Sequence, residues 1–367
     1  MTKITTAGAI LLMTTSMVSA LGLDRSGQNI GIIFEDAENY VELSYGSISP
    51  SVSGTDLIPQ PTGNVSQDYS QFGFGFKHQY SDAFSAAFIF DQPYGSNILY
   101  PASTPVFAGT AADVNSEAYT VMGRYELGNG FSFQGGVRAQ SIDADITLGG
   151  LAYGDLSSYN LQADGDHEFG YLVGAAYERP DIALRVALTY FSAIDHQLDT
   201  IETLGVFPPN SQTTVTTPQA VNLDFQTGIA ADTLLFGSIR WADYEQTIVS
   251  PTVFGVATSG GSLTDFDTDF TYNIGVGRRF TDAFSASISA GYEAEGDVLV
   301  SALIPTNGNY SVAVGGAYDF SNGMELSGGV RYIVIGDADI ATGDGTVGAS
   351  FEDNSAVAVG MKIAYSF

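Results

Sequence analysis

The residues of this chain that could do chemistry are few and scattered. There are three histidines, His78, His167 and His196, and no cysteine. Without cysteine there is no disulfide, no thiol nucleophile and no Cys-zinc site. The runs Asp265-Phe266-Asp267-Thr268-Asp269 and Asp337-Ala338-Asp339 place carboxylates at calcium-like intervals. They lack the spaced Gly and terminal Glu of a calcium loop, so they read as solvated loop carboxylates. No Gly-x-Ser-x-Gly elbow is present. Gly73-x-Gly75 and Gly275-x-Gly277 fall in strand-like runs, where glycine means tight packing, not phosphate binding. The expectation is no enzyme, no metal and no cofactor.

The cations are more informative. Beyond residue 20 the chain carries eleven Lys and Arg. Lys77, Arg124, Arg138, Arg185, Arg240, Arg279, Arg331 and Lys362 share the parity opposite to the large apolar residues of their runs. Only Arg278 falls on the apolar parity, next to a turn, where snorkelling is cheap. Two readings stay open. Some of these cations coordinate an anionic ligand, or they pair with carboxylates on the same face: Glu42, Asp91, Glu126, Glu178, Asp224, Asp243 and Glu325. Arg138 is the candidate for the first reading, because it lies far from its turn. The formal net charge of −29 excludes nucleic acid, which needs a basic footprint. Acidity fits solvated loops, or loops facing a cation-bridged lipopolysaccharide surface.

Positioning these residues requires strands. Outside the N-terminus no run of about 18 apolar residues exists, so no transmembrane helix is expected. Lys3, the apolar stretch Ala7 to Met13 and Val18-Ser19-Ala20 form a leader over 1–20 with a small-residue cleavage site. Loss of Lys3 takes the net charge from −29 to −30. Six tight turns follow, at 80–84, 127–131, 178–182, 230–234, 280–284 and 320–324, each with Asp, Asn, Gly or Pro chemistry. Between them lie longer polar segments, 50–66, 92–116, 143–166, 197–215, 245–269, 294–309 and 336–353. Six short turns alternating with seven long loops give fourteen strands with both ends on the short-turn side.

The strands alternate with period two. Phe72, Phe74, Phe76 and Tyr80 share one face of the second, and Val357, Val359, Met361, Ile363, Tyr365 and Phe367 one face of the last. Charge on a lipid face costs about 2–4 kcal/mol at mid-depth, so the cation parity supports the same assignment. The fold class expected is all-β: a transmembrane antiparallel up-and-down β-barrel of a bacterial outer membrane, with both termini periplasmic. A short segment over 21–38 lies inside or below a barrel built from 39–367. The terminal Phe367 suits recognition by the barrel-assembly machinery.

Two long segments are too apolar for solvated tips. One carries Leu148, Leu151, Tyr153 and Leu156; the other Leu204, Val206 and Phe207. Either they form a groove for a greasy molecule, or they fold inward and cap the lumen. Several stretches resemble the FadL-type family of outer-membrane transporters for long-chain fatty acids and other hydrophobic compounds. These are Gly22-Leu23-Asp24-Arg25-Ser26-Gly27, Tyr40 to Gly46, Asp91-Gln92-Pro93-Tyr94-Gly95, Thr189 to His196, Pro218 to Leu223 and Trp241 to Tyr244. The resemblance implies a monomeric fourteen-stranded barrel, a groove between the third and fourth outer loops and a deeper site. It also implies an N-terminal plug and a kinked third strand opening sideways to the bilayer, for which Pro93, Tyr94 and Gly95 are the candidates. The chain departs from the family in its short N-terminus, which lacks an Asn-Pro-Ala motif. The function expected is passive transport of hydrophobic ligands, fatty acids foremost. The alternatives are a hydrophilic diffusion porin, or a surface-binding adhesin or receptor.

Overall fold

A computed structural model describes residues 23–204, 210–296 and 299–367. The expected leader and the groove candidates Val206 and Phe207 lie outside the described residues. Fourteen antiparallel strands close into one barrel. The first is Asn39–Ser51 and the second Tyr69–Ser81; the third comes in two pieces, Phe84–Asp91 and Gly95–Leu99. Ala111–Glu126 and Phe131–Leu148 follow as the fourth and fifth. The sixth (Tyr159–Gly165, Glu168–Arg179), seventh (Leu184–Phe191, Ile194–Thr203) and eighth (Asn210–Thr217, Ala220–Ala230) are also broken. Thr233–Asp243, Thr268–Arg279, Phe284–Glu293, Asn309–Asp319, Met324–Ile335 and Asn354–Ser366 complete the wall. First and last strands pair from Tyr40↔Ser366 to Ser51↔Ser355. Asn39 and Phe367 then exchange backbone bonds of 3.0 Å, so the sheet has no free edge.

The six short turns fall where the Asp, Asn, Gly and Pro chemistry placed them. Leu127 N donates to Phe131 O and Phe320 N to Met324 O, both at 2.8 Å. At Gly130 φ is +89°, and an added Cβ would sit 2.5 Å from Glu178 O, so both conformation and space demand glycine. The outward face is a belt of aromatic and aliphatic side chains: Phe72, Phe169, Tyr171, Val314, Val330 and Met361 all stand exposed. Lys77, Arg124, Arg138, Arg240 and Arg331 are buried on the inward face. A contiguous apolar belt of this extent is a lipid-facing surface.

Two expected loops are mostly strand. Instead of a loop over 143–166, the fifth strand runs on to Leu148 and the sixth begins at Tyr159; instead of one over 197–215, the seventh reaches Thr203 and the eighth starts at Asn210. The alternation continues past the lipid belt: Ile142, Ile146 and Leu148 are buried, while Asp143 and Asp145 point outward. The wall is therefore taller on this side, and its upper outer face is acidic rather than greasy.

The breaks in the third, sixth, seventh and eighth strands are bulges that exchange faces. Ser85, Ala87 and Ile89 are buried below the break in the third strand; Ser96 and Ile98 above it. In the seventh, Ala187, Thr189 and Phe191 give way to Ile194, His196 and Leu198. One extra residue swaps every side chain beyond it to the other face. Odd residues face the lumen on one side of the bulge and even residues on the other, so apolar side chains line the upper interior.

The lipid belt makes a direct prediction. Val314→Arg, at the middle of its strand, should lower the folding free energy in lipid vesicles by about 2–4 kcal/mol. Ser287→Arg, on the lumenal face, should cost much less. Urea unfolding of both variants in vesicles measures the difference, and equal costs would contradict the facing.

Candidate functional site

The interior is layered along the barrel axis. At the long-loop end the loops fold inward onto one apolar core that includes Tyr100, Phe107, Leu148, Tyr159, Phe254 and Phe351. Glu202, fully buried, ties three of these segments together. It accepts from Tyr159 Oη at 2.9 Å, Ser211 Oγ at 3.0 Å and the backbone N–H groups of Val253 and Phe254 at 3.0 and 2.9 Å. A buried carboxylate is tolerated because its lone pairs are filled by four donors.

Beneath that core lies a cavity of about 70 Å³. Ile142, Ile146, Leu161, Leu198, Val215 and Leu303 line it, and no charged side chain does. Two hydroxyls of its lining bond to the protein, Ser96 Oγ donating to Leu303 O at 3.0 Å and Thr264 Oγ1 to Thr247 O at 2.7 Å, whereas Tyr94 Oη and Thr247 Oγ1 are buried without a partner among the described residues. Leu23 and Tyr94 form its floor.

That floor is the N-terminal segment, clamped to opposite walls. Asp24 meets Arg240 at 2.6 Å, and Arg240 also donates to Asn222 Oδ1 and Gln28 Oε1. Ser26 Oγ donates to Asp91 at 2.5 Å. Arg138 grips the same carboxylate with both oxygens at 2.9 Å and donates to Thr120 Oγ1 at 3.0 Å. Further down, a 3-10 turn at Gly31–Phe34 buries Ile32, Ile33 and Phe34. The Phe34 ring lies between the Arg124 and Arg185 guanidiniums, 4.7 and 4.8 Å from its centroid. Below it opens a polar vestibule of about 710 Å³, lined by Glu35, Glu42, Arg185, Glu325 and Lys362 among others. Residues 24–34 thus cross the lumen, held by wall charges at three points.

The third-strand break opens the wall beside this floor. Pairing with the second strand runs to Phe74↔Phe90 and lapses until an isolated bridge at Ser66↔Ile98. Residues 68–73 and 91–96 face each other across the gap without a ladder. Substitutes satisfy the backbone. Gln92 Oε1 accepts from Phe72 N at 2.9 Å, and Gln71 Nε2 donates to Gln92 O at 3.2 Å. Ser116 Oγ accepts from Tyr94 N at 2.7 Å and donates to Tyr94 O at 2.8 Å. Arg25 N donates to Pro93 O at 2.6 Å and Gly95 N to Leu23 O at 2.8 Å, so the N-terminal segment pairs with the kink like a missing strand.

The residues singled out in the sequence fall into different places. Leu148 is a buried member of the loop core, and Tyr153, Leu156 and Leu204 pack half-buried against it. Leu151 is exposed. Pro93, Tyr94 and Gly95 are the interruption itself. Arg138 is engaged by Asp91, an intramolecular carboxylate, and does not face the apolar cavity. Lys362 with Glu42 and Glu325, and Arg124 with Glu126 and Glu178, also pair within the lumen. The cavity wall itself was missed, although the parity of Ile142, Ala144 and Ile146 carried the signal. The Asp24–Arg240 pair is 216 residues apart in sequence and had no local signal.

No family model and no characterised sequence matches the chain. Its structural likenesses are close in shape. A Pseudomonas aeruginosa FadL homologue superposes with a TM-score of 0.73 at 12% identity, covering 92% of each chain. The Pseudomonas putida toluene transporter TodX gives 0.64 at 11% identity, covering 95% of this chain and 96% of that one. The monoaromatic hydrocarbon channel CymD gives 0.60 at 11% identity, with 95% and 97% covered. At such identities the likeness establishes a shared fold.

The clamp can be tested by hydrogen exchange. Arg240→Ala leaves Asp24 buried and unpaired, which should cost about 3–5 kcal/mol. Amides of 23–34 should lose protection while the strands keep theirs. The double variant Asp24→Leu/Arg240→Met should restore much of it. Unchanged exchange in Arg240→Ala would mean the segment is held otherwise.

Proposed function

We propose that the protein is a passive transporter of hydrophobic small molecules in a bacterial outer membrane, with both termini in the periplasm and the long loops outside. The observation that carries this reading is the uncharged apolar cavity, enclosed between an inward-folded loop core and a clamped N-terminal floor. Leu151, Tyr153, Leu156 and Leu204 mark the intake, to which the sequence alone also assigns Val206 and Phe207. A ligand passes from there into the cavity, whose lining carries no charged side chain. Displacing the N-terminal floor releases it, sideways through the interruption at Pro93, Tyr94 and Gly95. Nothing in this path consumes energy, so flux follows the gradient. The barrel is read as a monomer, delivered by the assembly machinery through Phe367, with its upper acidic face toward lipopolysaccharide.

Three structures of the same fold bear on cargo. One is described as a FadL homologue, one as a toluene transporter and one as a monoaromatic hydrocarbon channel. Long-chain fatty acids remain within the class. The cavity favours a neutral molecule, because a carboxylate brought there would meet no cation and pay its full desolvation. Arg138, the residue that would have received it, already holds Asp91. The volume matters too. A dry cavity of about 150 Å³ accommodates benzene, so this cavity of about 70 Å³ must widen to load even one aromatic ring. The diffusion-porin alternative is disfavoured by the apolar core filling the mouth.

Displacement of a fluorescent hydrophobic probe from detergent-purified protein tests the reading. Toluene and oleate should both compete, toluene without dependence on Arg138. Ala163→Phe fills the cavity and should weaken binding about tenfold or more, the scale of an overpacking cost of 1–3 kcal/mol. Absence of saturable binding by the wild type for both ligands would sink the proposal.

A further inference from the structure

The gap between the second and third strands contains a guanidinium. Arg25 leaves the N-terminal segment and sits over the Tyr69 ring on one lip, its Cζ 4.0 Å from the centroid. On the other lip its Nη2 donates to Asn97 Oδ1 at 2.6 Å. Asn97 Nδ2 in turn donates to Asp113 Oδ1 at 2.9 Å, and Asp113 is exposed on the outer face. Arg25 itself is 7% exposed. Gly95 is in contact with it: a Cβ there would collide with Cζ, Nη1 and Nε of Arg25. A void of about 60 Å³ lies alongside, lined by Arg25, Tyr69, Gly95 and Ile98.

This contact differs in kind from the neighbouring anchors at Asp24 and Ser26. Asp24 and Ser26 attach to the wall through Arg240 and the Asp91–Arg138 pair. Among the described residues no carboxylate lies within salt-bridge distance of Arg25. Its charge is held by an aromatic face and an amide oxygen, both weaker than a buried ion pair. An arrangement meant only to anchor the segment would use a carboxylate here. A cation held by neutral groups across a wall gap is suited to release.

We propose that Arg25 is the bolt of the wall opening. While the N-terminal segment is seated, its guanidinium bridges Tyr69 and Asn97 and keeps the lumen closed to the bilayer. When the segment withdraws, floor and wall open together, because one residue stretch closes both. Gly95 is glycine to admit the bolt. The purpose of this coupling rests on the lateral-exit reading above; the closure itself does not.

The absence of native cysteine gives a clean measurement. Ser96, inward-facing and beside both small cavities, becomes the sole thiol in Ser96→Cys of the full chain in lipid vesicles. It is labelled either by a pyrene maleimide dissolved in the bilayer or by a sulfonated, membrane-impermeant maleimide added to the water on both sides. Adding Arg25→Ala should accelerate labelling from the bilayer about ten- to hundredfold, the scale of a lost buried cation–π contact and charged hydrogen bond. Labelling from water should not change. Arg25→Lys should fall between, and Gly95→Ala, which keeps the arginine but evicts it, should reproduce Arg25→Ala. Heat-modifiable migration reports whether each variant has assembled. Equal acceleration by both reagents would make Arg25 a mere anchor of the floor and overturn the proposal, as would no acceleration by either. No cargo enters this measurement, so its failure and that of the binding experiment are separate results.

Discussion

A wall in contact with hydrocarbon cannot leave peptide groups unpaired, since each one costs several kcal/mol. The closed ladder from Asn39 round to Ser366 answers that constraint, but it lapses between Leu172↔Phe191 and Gly165↔Leu198 of the sixth and seventh strands, and again where the third strand breaks. Pro93 lacks an N–H and could not continue a ladder in any case. The molecule compensates with a glutamine side chain, a serine hydroxyl and the backbone of residues 23–25. The N-terminal segment is thus not an independent plug dropped into a finished barrel. It completes the hydrogen bonding of the wall, and its position follows from the interruption.

Carboxylates of the wall and of that segment account for the lumenal cations. A basic face inside a barrel suggests a receptor for anions until its partners are seen. Arg240 is spent on Asp24, Arg138 on Asp91, and Lys362 on Glu42 and Glu325. Buried pairs of this kind add little net stability over apolar packing. What they provide is location: Arg240 on Asp24, and Arg138 with Ser26 on Asp91, fix where along the axis the segment sits. The floor divides an apolar chamber above from a polar vestibule below, and that division gives the barrel a direction.

The bulges make the chamber. Below them, the inward positions of the seventh strand are Ala187, Thr189 and Phe191; above, Ile194, His196 and Leu198. The exchange of faces turns what would be outward apolar residues into the lining of an enclosed cavity. It also leaves aspartates on the upper outer face, where the wall has risen beyond the lipid belt.

The barrel was legible in the sequence. Turn chemistry at six places, alternation such as Phe72-x-Phe74-x-Phe76, and cations confined to one parity are local signals, because a strand sorts its side chains by position alone. The sequence also marked Pro93-Tyr94-Gly95, since proline breaks a ladder wherever it stands. It misled at 143–166 and 197–215, where strands passing above the membrane no longer alternate greasy with small, and so read as loops. The arrangement of the interior follows from long-range contacts instead. Arg138 acquires its partner from a strand 47 residues away and Arg240 from the far end of the chain. Whether a lumenal arginine awaits a ligand or clamps a plug depends on which carboxylate the closed barrel brings beside it, and no local pattern encodes that distance.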